Sequence, residues 1–237
     1  MRKVVSPVFM PIVEIVSGIV SHYEALARTA QGTGGHVRLI ELGEEYGFVN
    51  LIDMEIMKQV FSLLAENQKI VIAVNVSVIT VEHSCNEALA LIFRNMDLVS
   101  RVVFEITETK EIRNPKLVKR FVDAVRLLDG RIAIDDFGAG HFTVDLVTKI
   151  KPEFLKLDAV LVADLEGNGD VIVQLCDLVG EYGGRLIAEH VDSKEKLDNL
   201  RSLGVHYAQG YYVGKPAPFV LKQDSVSVPS AQVWRVR

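Results

Sequence analysis

Short apolar runs and amphipathic stretches alternate along nearly the whole chain. Residues 8–16 are apolar and extended apart from Pro11 and Glu14, Ser17-Gly18 supplies a turn, and 19–28 continue as a second strand. That order predicts a hairpin whose strands run antiparallel. Residues 32–35 form a Gly-rich loop, and 39–67 read as largely helical, with Gly43 and Gly47 as weak points. Strands are then predicted at 70–76, 102–106, 132–134, 154–157, 185–188 and 205–209. Helices are predicted at 82–94, 115–128, 142–150, 169–182 and 193–202. Pro115 suits a first helical turn, Gly183-Gly184 a helix stop, and Ser193 an N-cap. Several of these strands are apolar without alternation, as strands buried on both faces are. Eight strands with helices between most of them, repeating every roughly 25–30 residues, predict an α/β fold of the TIM-like (β/α)8 barrel type with an antiparallel first strand. The barrel is assigned to residues 1–221. Residues 222–237 are polar with scattered Val226, Val228, Val233 and Trp234, and read as a C-terminal tail, an added strand or a partner contact.

Composition narrows the function classes. A chain of 237 residues, 49% hydrophobic and 24% charged, can bury a large core. Its net charge of −5 argues against duplex nucleic acid as a partner, which needs a basic face. A small anionic ligand stays compatible if metal ions bring the positive charge. Cys85 and Cys176 have no metal-ligand spacing and fall in helical stretches, so reduced, partly buried thiols are expected, in keeping with a cytoplasmic setting. No secretory signal opens the chain and no apolar run is long enough to span a bilayer. The chain therefore reads as cytoplasmic, whether by itself or as the cytosolic piece of a longer, membrane-anchored protein.

The candidate chemistry sits at the strand ends. Arg131-Ile132-Ala133-Ile134 runs straight into Asp135-Asp136, followed by Phe137-Gly138-Ala139-Gly140. Taken alone, an Asp-Asp pair is more often a solvated loop with a helix cap. In a barrel, however, active sites gather at the C-terminal ends of the strands. Those ends carry Glu24, Asn75, Glu105 with Glu108, Asp135 with Asp136, Lys156 with Asp158, Glu189, and Gln209. So many carboxylates facing one cavity need cations to stay ionised. Oxygen ligands with an amide and no thiolate favour hard ions, Mg²⁺ or Mn²⁺. The Asp-Asp pair suits a bridge between two ions about 3.5–4 Å apart, an arrangement that activates water against a phosphoryl group. Lys156 would hold the attacking hydroxide or neutralise charge in the transition state.

These residues resemble a known family. His22-Tyr-Glu-Ala-Leu-Ala-Arg28, Asn75-Val-Ser77, Phe104-Glu-Ile-Thr-Glu108, Asp135-Asp-Phe-Gly-Ala-Gly140, Leu155-Lys-Leu-Asp158, Ala188-Glu189 and Gln209-Gly-Tyr211 resemble, in order and over nearly the whole chain, the signatures of the EAL domain. That family comprises bacterial phosphodiesterases that open cyclic di-GMP to linear pGpG. The resemblance implies a barrel with an antiparallel first strand. It implies Glu24, Asn75, Glu105 and Asp135 as ligands of a first metal, and Asp135 with Asp136 for a second. Glu189 would stand nearby as a direct or water-mediated ligand or proton acceptor. Lys156 resembles the lysine that positions the attacking water. Leu26, Arg28, Asp158 and Gln209 fall on the substrate side, Arg28 toward a phosphate. Glu108 matches the glutamate that steadies the loop after Asp136. Homodimerisation and attached sensory or cyclase domains are further expectations from the family.

Five positions depart from the family pattern. Met10 stands where a Gln is usual, His141-Phe142 replaces Tyr-Ser, His190 replaces Gly, and Asp192 replaces Glu. An alternative therefore stands beside the enzyme: a receptor that binds cyclic di-GMP without cleaving it. Family receptors typically lack one of the site carboxylates, and this chain keeps Glu24, Asn75, Glu105, Asp135, Asp136, Lys156 and Glu189, which favours the enzyme. An unrelated metal-dependent barrel hydrolase would require the order of motifs to be coincidence.

Overall fold

The computed structural model describes residues 5–29, 35–107, 112–140 and 142–219. Its elements run β1 (Val5–Glu14), β2 (Val20–Thr29), α1 (Gly35–Glu45), α2 (Val49–Glu66), β3 (Ile72–Ser77), α3 (Val78–His83), α4 (Cys85–Arg94), α5 (Met96–Val99), β4 (Val102–Thr107), α6 (Pro115–Leu127), β5 (Arg131–Phe137), α7 (Val144–Ile150), β6 (Phe154–Leu157), α8 (Ala159–Ala163), α9 (Leu165–Gly180), β7 (Arg185–Ala188), α10 (Lys194–Ser202) and β8 (Tyr207–Ala208). The strands follow one another in chain order around a closed barrel. β1 runs antiparallel to β8, whereas β3–β4, β6–β7 and β7–β8 pair in parallel. The expected TIM-like barrel with an antiparallel first strand is what the chain forms. The hairpin turn is closed by the Glu14 N–H donating to Ile19 O at 2.9 Å.

Several boundaries differ from the expected ones. The helical stretch 39–67 is two helices, because Gly47 takes φ +76 between them, a conformation that costs glycine little. The predicted helix 82–94 covers α4 and only the last two residues of α3, which starts earlier, at Val78; the two part at Ser84, whose N–H closes on Thr80 O and whose carbonyl starts the next helix at Ala88. Helix 169–182 begins earlier, at Leu165, because Asp164 caps it through the Gly167 N–H. The strand 205–209 shrinks to Tyr207–Ala208. The start of the 32–35 loop, Glu108, His141 and the 222–237 tail lie outside the described residues.

The chain packs as two compact units: Ala25–Ala133 with the start of the chain up to Pro7, and Val8–Glu24 with Ile134 onward. In the first, β3 and β4 are buried on both faces, and Phe104 of β4 meets Phe121 of α6 edge-on with centroids 5.9 Å apart. Arg101 caps the end of α2, donating to the Leu64 carbonyl at 2.8 Å and to Asn67 O. The guanidinium adds to the Asn67 N–H already donating to Leu64 O, and a cation at a helix C-terminus also suits the helix dipole. In the second, His22 is a core side chain, its ring 5.0 Å from Phe154 and 6.4 Å from Tyr207. No helix among the described residues is long and apolar enough to cross a membrane.

Candidate metal and catalytic site

β6 reads Phe-Leu-Lys-Leu and is buried throughout, so its Lys156 is an ammonium in a strand interior, 1% exposed. Burying such a charge is costly unless it is paired. Here it is paired three times within the second unit. Nζ lies 2.8 Å from Asp135 Oδ1, 2.8 Å from Glu189 Oε1 and 3.4 Å from Glu24 Oε2. Asp135 comes from β5, Glu189 follows β7, and Glu24 lies in β2, so three strands deliver carboxylates to one ammonium. Gln209, the residue after β8, donates from Nε2 to Glu24 Oε2 at 2.5 Å. Its own Oε1 is buried without a hydrogen-bond partner among the described residues.

Parallel pairing fixes this arrangement. β6 and β7 run in register with Leu157 opposite Ala188, and the Glu189 N–H donates to Leu157 O at 3.2 Å. Gln209 N–H in turn donates to Ala188 O at 2.8 Å, and the Val191 N–H to Gln209 O at 3.0 Å. Gly210 sits where a Cβ would run into the Val191 backbone, so only glycine allows the loops after β7 and β8 to close this tightly. Asp136, exposed beside buried Asp135, adopts φ +51, a left-handed conformation rare outside glycine. Asp135, Asp136 and Glu189 each offer a carboxylate oxygen, all within 4.8 Å of one another.

Three carboxylates around one ammonium leave an excess of negative charge. Burial raises the Asp135 pKa against the lowering pull of Lys156, and Glu24 raises it further. Although Asp136 as a residue is exposed, its carboxyl is partly desolvated, and that first, then the neighbouring Asp135, pushes its pKa up to about 6. Glu189 rises to about 8: desolvation outweighs the ammonium 2.8 Å away, and Asp135 and Glu24 add to the rise. A hard divalent cation fits this donor set, all carboxylate oxygen with no thiolate or imidazole, because it would supply the charge that stabilises the ionised forms.

In the first unit, Asn75 and Glu105 are register partners on β3 and β4, which sets them side by side. Leu26 and Arg28 lie on the second half of β2, half-buried, with the Arg28 guanidinium donating to Ala27 O at 2.9 Å. Asp158 caps α8, accepting the Val160 N–H at 2.7 Å, while its own N–H donates to the O of Phe137, the last residue of β5 and the neighbour of Asp136. Among the departures, Met10 and Phe142 are buried, Asp192 is exposed and ion-paired to Lys196 at 3.1 Å, and His190 is exposed with φ +52. Reading the strand ends alone misses one buried carboxylate near the end of β3, Asp53 of α2. Its signal is present in the sequence: with Val49, Ile52, Ile56, Met57 and Val60 it occupies the apolar stripe of its helix.

The family model for the EAL domain matches residues 2–216, and the chain belongs to that family. It is 26% identical over 193 residues to cyclic di-GMP phosphodiesterase PdeF of Escherichia coli (strain K12), covering 76% of this chain and 25% of that protein. It is 30% identical over 225 residues to probable cyclic di-GMP phosphodiesterase PdeI of the same organism, covering 90% of this chain and 29% of that protein. The chain thus spans under a third of the length of these relatives. Among solved structures, the manganese and cyclic di-GMP complex of Klebsiella pneumoniae BlrP1 matches with a TM-score of 0.77 at 24% identity, over 91% of this chain and 56% of that one. That likeness shows the shared fold.

Proposed function

We propose that the chain is a metal-dependent phosphodiesterase that hydrolyses cyclic di-GMP to linear pGpG. The observation that carries this reading is the buried Lys156 ammonium gripped by Asp135, Glu189 and Glu24 at a rim of carboxylates. The names of PdeF and PdeI support the substrate. In this reading Glu24, Asn75, Glu105 and Asp135 hold one divalent ion, Mg²⁺ or Mn²⁺, and Asp135 with Asp136 a second, with Glu189 as a further ligand or proton acceptor. Bound there, the ions would acidify a water and offset charge on the phosphodiester. Lys156 then orients the attacking oxygen and shields the anionic phosphorus centre. Gln209 holds Glu24 in place through its amide and keeps Oε1 for the ligand side. Arg28 binds a phosphate oxygen, Leu26 and Asp158 line the substrate side, and Glu108 steadies the loop after Asp136.

The test is incubation with cyclic di-GMP and Mg²⁺ or Mn²⁺, with chromatography of the products. Appearance of pGpG, abolished by Glu24→Ala and by Asp135→Asn in folded protein, supports the enzyme. Binding of cyclic di-GMP with no product in either metal would assign a receptor instead.

A further inference from the structure

An ionisable group in an apolar stripe needs a reason to be there. Asp53 is 7% exposed, and its α2 neighbours Ile52, Ile56, Met57 and Val60 are core. Its Oδ2 accepts the Ser77 backbone N–H at 2.9 Å and the Thr80 hydroxyl at 2.6 Å. Ser77 Oγ accepts the Thr80 N–H at 3.1 Å, capping α3, and the two hydroxyl oxygens are 3.0 Å apart. One carboxylate therefore pins the point where β3 stops and α3 begins. Burial raises its pKa to about 6 against the pull of those hydrogen bonds, so the interaction opposes a real desolvation cost.

What lies at that point gives the cost a purpose. Ser77 is the last residue of β3, two beyond Asn75, and side chains at i and i+2 of a strand share a face. Asn75 is the register partner of Glu105, and Ser77 that of Thr107, the last residue of β4. A strand end free to fray would let the Asn75 carboxamide turn away from Glu105. Tying the Ser77 N–H to a buried anion removes that freedom. An apolar side chain in its place would avoid the carboxylate's desolvation but would leave the buried Ser77 N–H and Thr80 hydroxyl without this acceptor, so the carboxylate holds both groups at the strand end.

We propose that Asp53 is a positioning residue: through Ser77 and Thr80 it fixes the end of β3, and so holds Asn75 beside Glu105 for the divalent cation. The inference rests on the metal reading above. Groups that orient metal ligands typically cost about 10–100-fold in metal affinity when removed.

Isothermal titration of Mn²⁺ into the purified chain tests it. Asp53→Ala is expected to weaken Mn²⁺ binding by about 10–100-fold while circular dichroism shows a folded protein. Asp53→Asn, whose amide oxygen can accept the same two bonds, is expected to recover most of that loss. A core control, Phe121→Leu, lowers stability without touching this network and should keep wild-type affinity. Wild-type affinity in folded Asp53→Ala, or an equal loss in Phe121→Leu, overturns the inference. Should Asp53→Ala fail to fold, Thr80→Val, which removes one donor and keeps the shape, must weaken Mn²⁺ binding; unchanged binding overturns the inference as well. Absence of Mn²⁺ binding by the wild type removes the metal reading itself, and the inference with it.

Discussion

Lys156 illustrates how a residue type alone underdetermines its role. As one polar position in Phe-Leu-Lys-Leu it reads equally as a strand-end lysine in water, yet it is among the largest fully buried side chains of the protein. What decides is the company it keeps: three carboxylates from other strands and an amide behind one of them. His190 is a second case. It stands where the family has glycine, and its φ of +52 is one that a side chain tolerates poorly. His190→Gly should therefore raise stability by about 0.5–1 kcal/mol, the strain relief exceeding the entropy that glycine adds to the unfolded chain. Urea unfolding of the two proteins at neutral pH measures it. A lower midpoint in the glycine variant would mean that the imidazole makes contacts worth more than the strain.

At the scale of elements, punctuation sets how much can be read. β6 and β7 fall at their predicted bounds because Pro152 and Gly183-Gly184 stand just before them. The apolar pattern misses the start of α3 and runs its last two residues into α4, because Ser84, an ordinary polar residue, carries no breaker signal, and the break is a matter of hydrogen bonds to Thr80 and Ala88. β8 is short for a reason that only pairing shows: its neighbours hold it through Val13, Glu14, Ile187 and Ala188 alone. Beside it, His206 accepts the Leu186 N–H at Nδ1, 3.2 Å away, and its carbonyl receives the Ile15 N–H at 2.9 Å. Burial, and then the charge of Arg185, lowers its pKa below the usual 6.5. A folded pKa below the unfolded one means that the unfolded chain binds the proton better. The contribution of His206 is thus present above about pH 6.5 and fades as pH falls below it. His206→Asn keeps an acceptor near the Nδ1 position and cannot titrate, so its unfolding midpoint should fall less than the wild type's between pH 7 and 5. Parallel profiles would show that this imidazole is not linked to folding.

For the molecule as a whole, cation binding and protonation should be coupled. With Glu189 raised to about 8 and Asp136 to about 6, the cation-free site holds protons that a divalent ion must displace. The sign follows for stability too: groups with raised folded pKa values favour the folded state at low pH, and that contribution is lost as pH rises through about 6 and then about 8. Mn²⁺ titrations at pH 7 in buffers of different ionisation enthalpy should reveal proton release, diminishing toward pH 9, with affinity rising over the same range. Binding that neither releases protons nor varies with pH would show that Glu189 is ionised before the metal arrives.

The eight-strand rhythm, the apolar strand interiors and the oxygen ligands at strand ends are local patterns, so the order of residues determined the barrel and most of its rim. A strand's period tells which side chains share a face, and its last residue tells which reach the loops. Distances between strands are not local. Tertiary structure alone decided that Glu24, Asp135 and Glu189 close on one lysine, that Gln209 backs Glu24, and that Asp53, lodged in an apolar helix stripe, grips the far end of β3. The physical reason is that buried charge is tolerated only beside its partners, and the fold chooses those partners across 24 to 185 positions of chain.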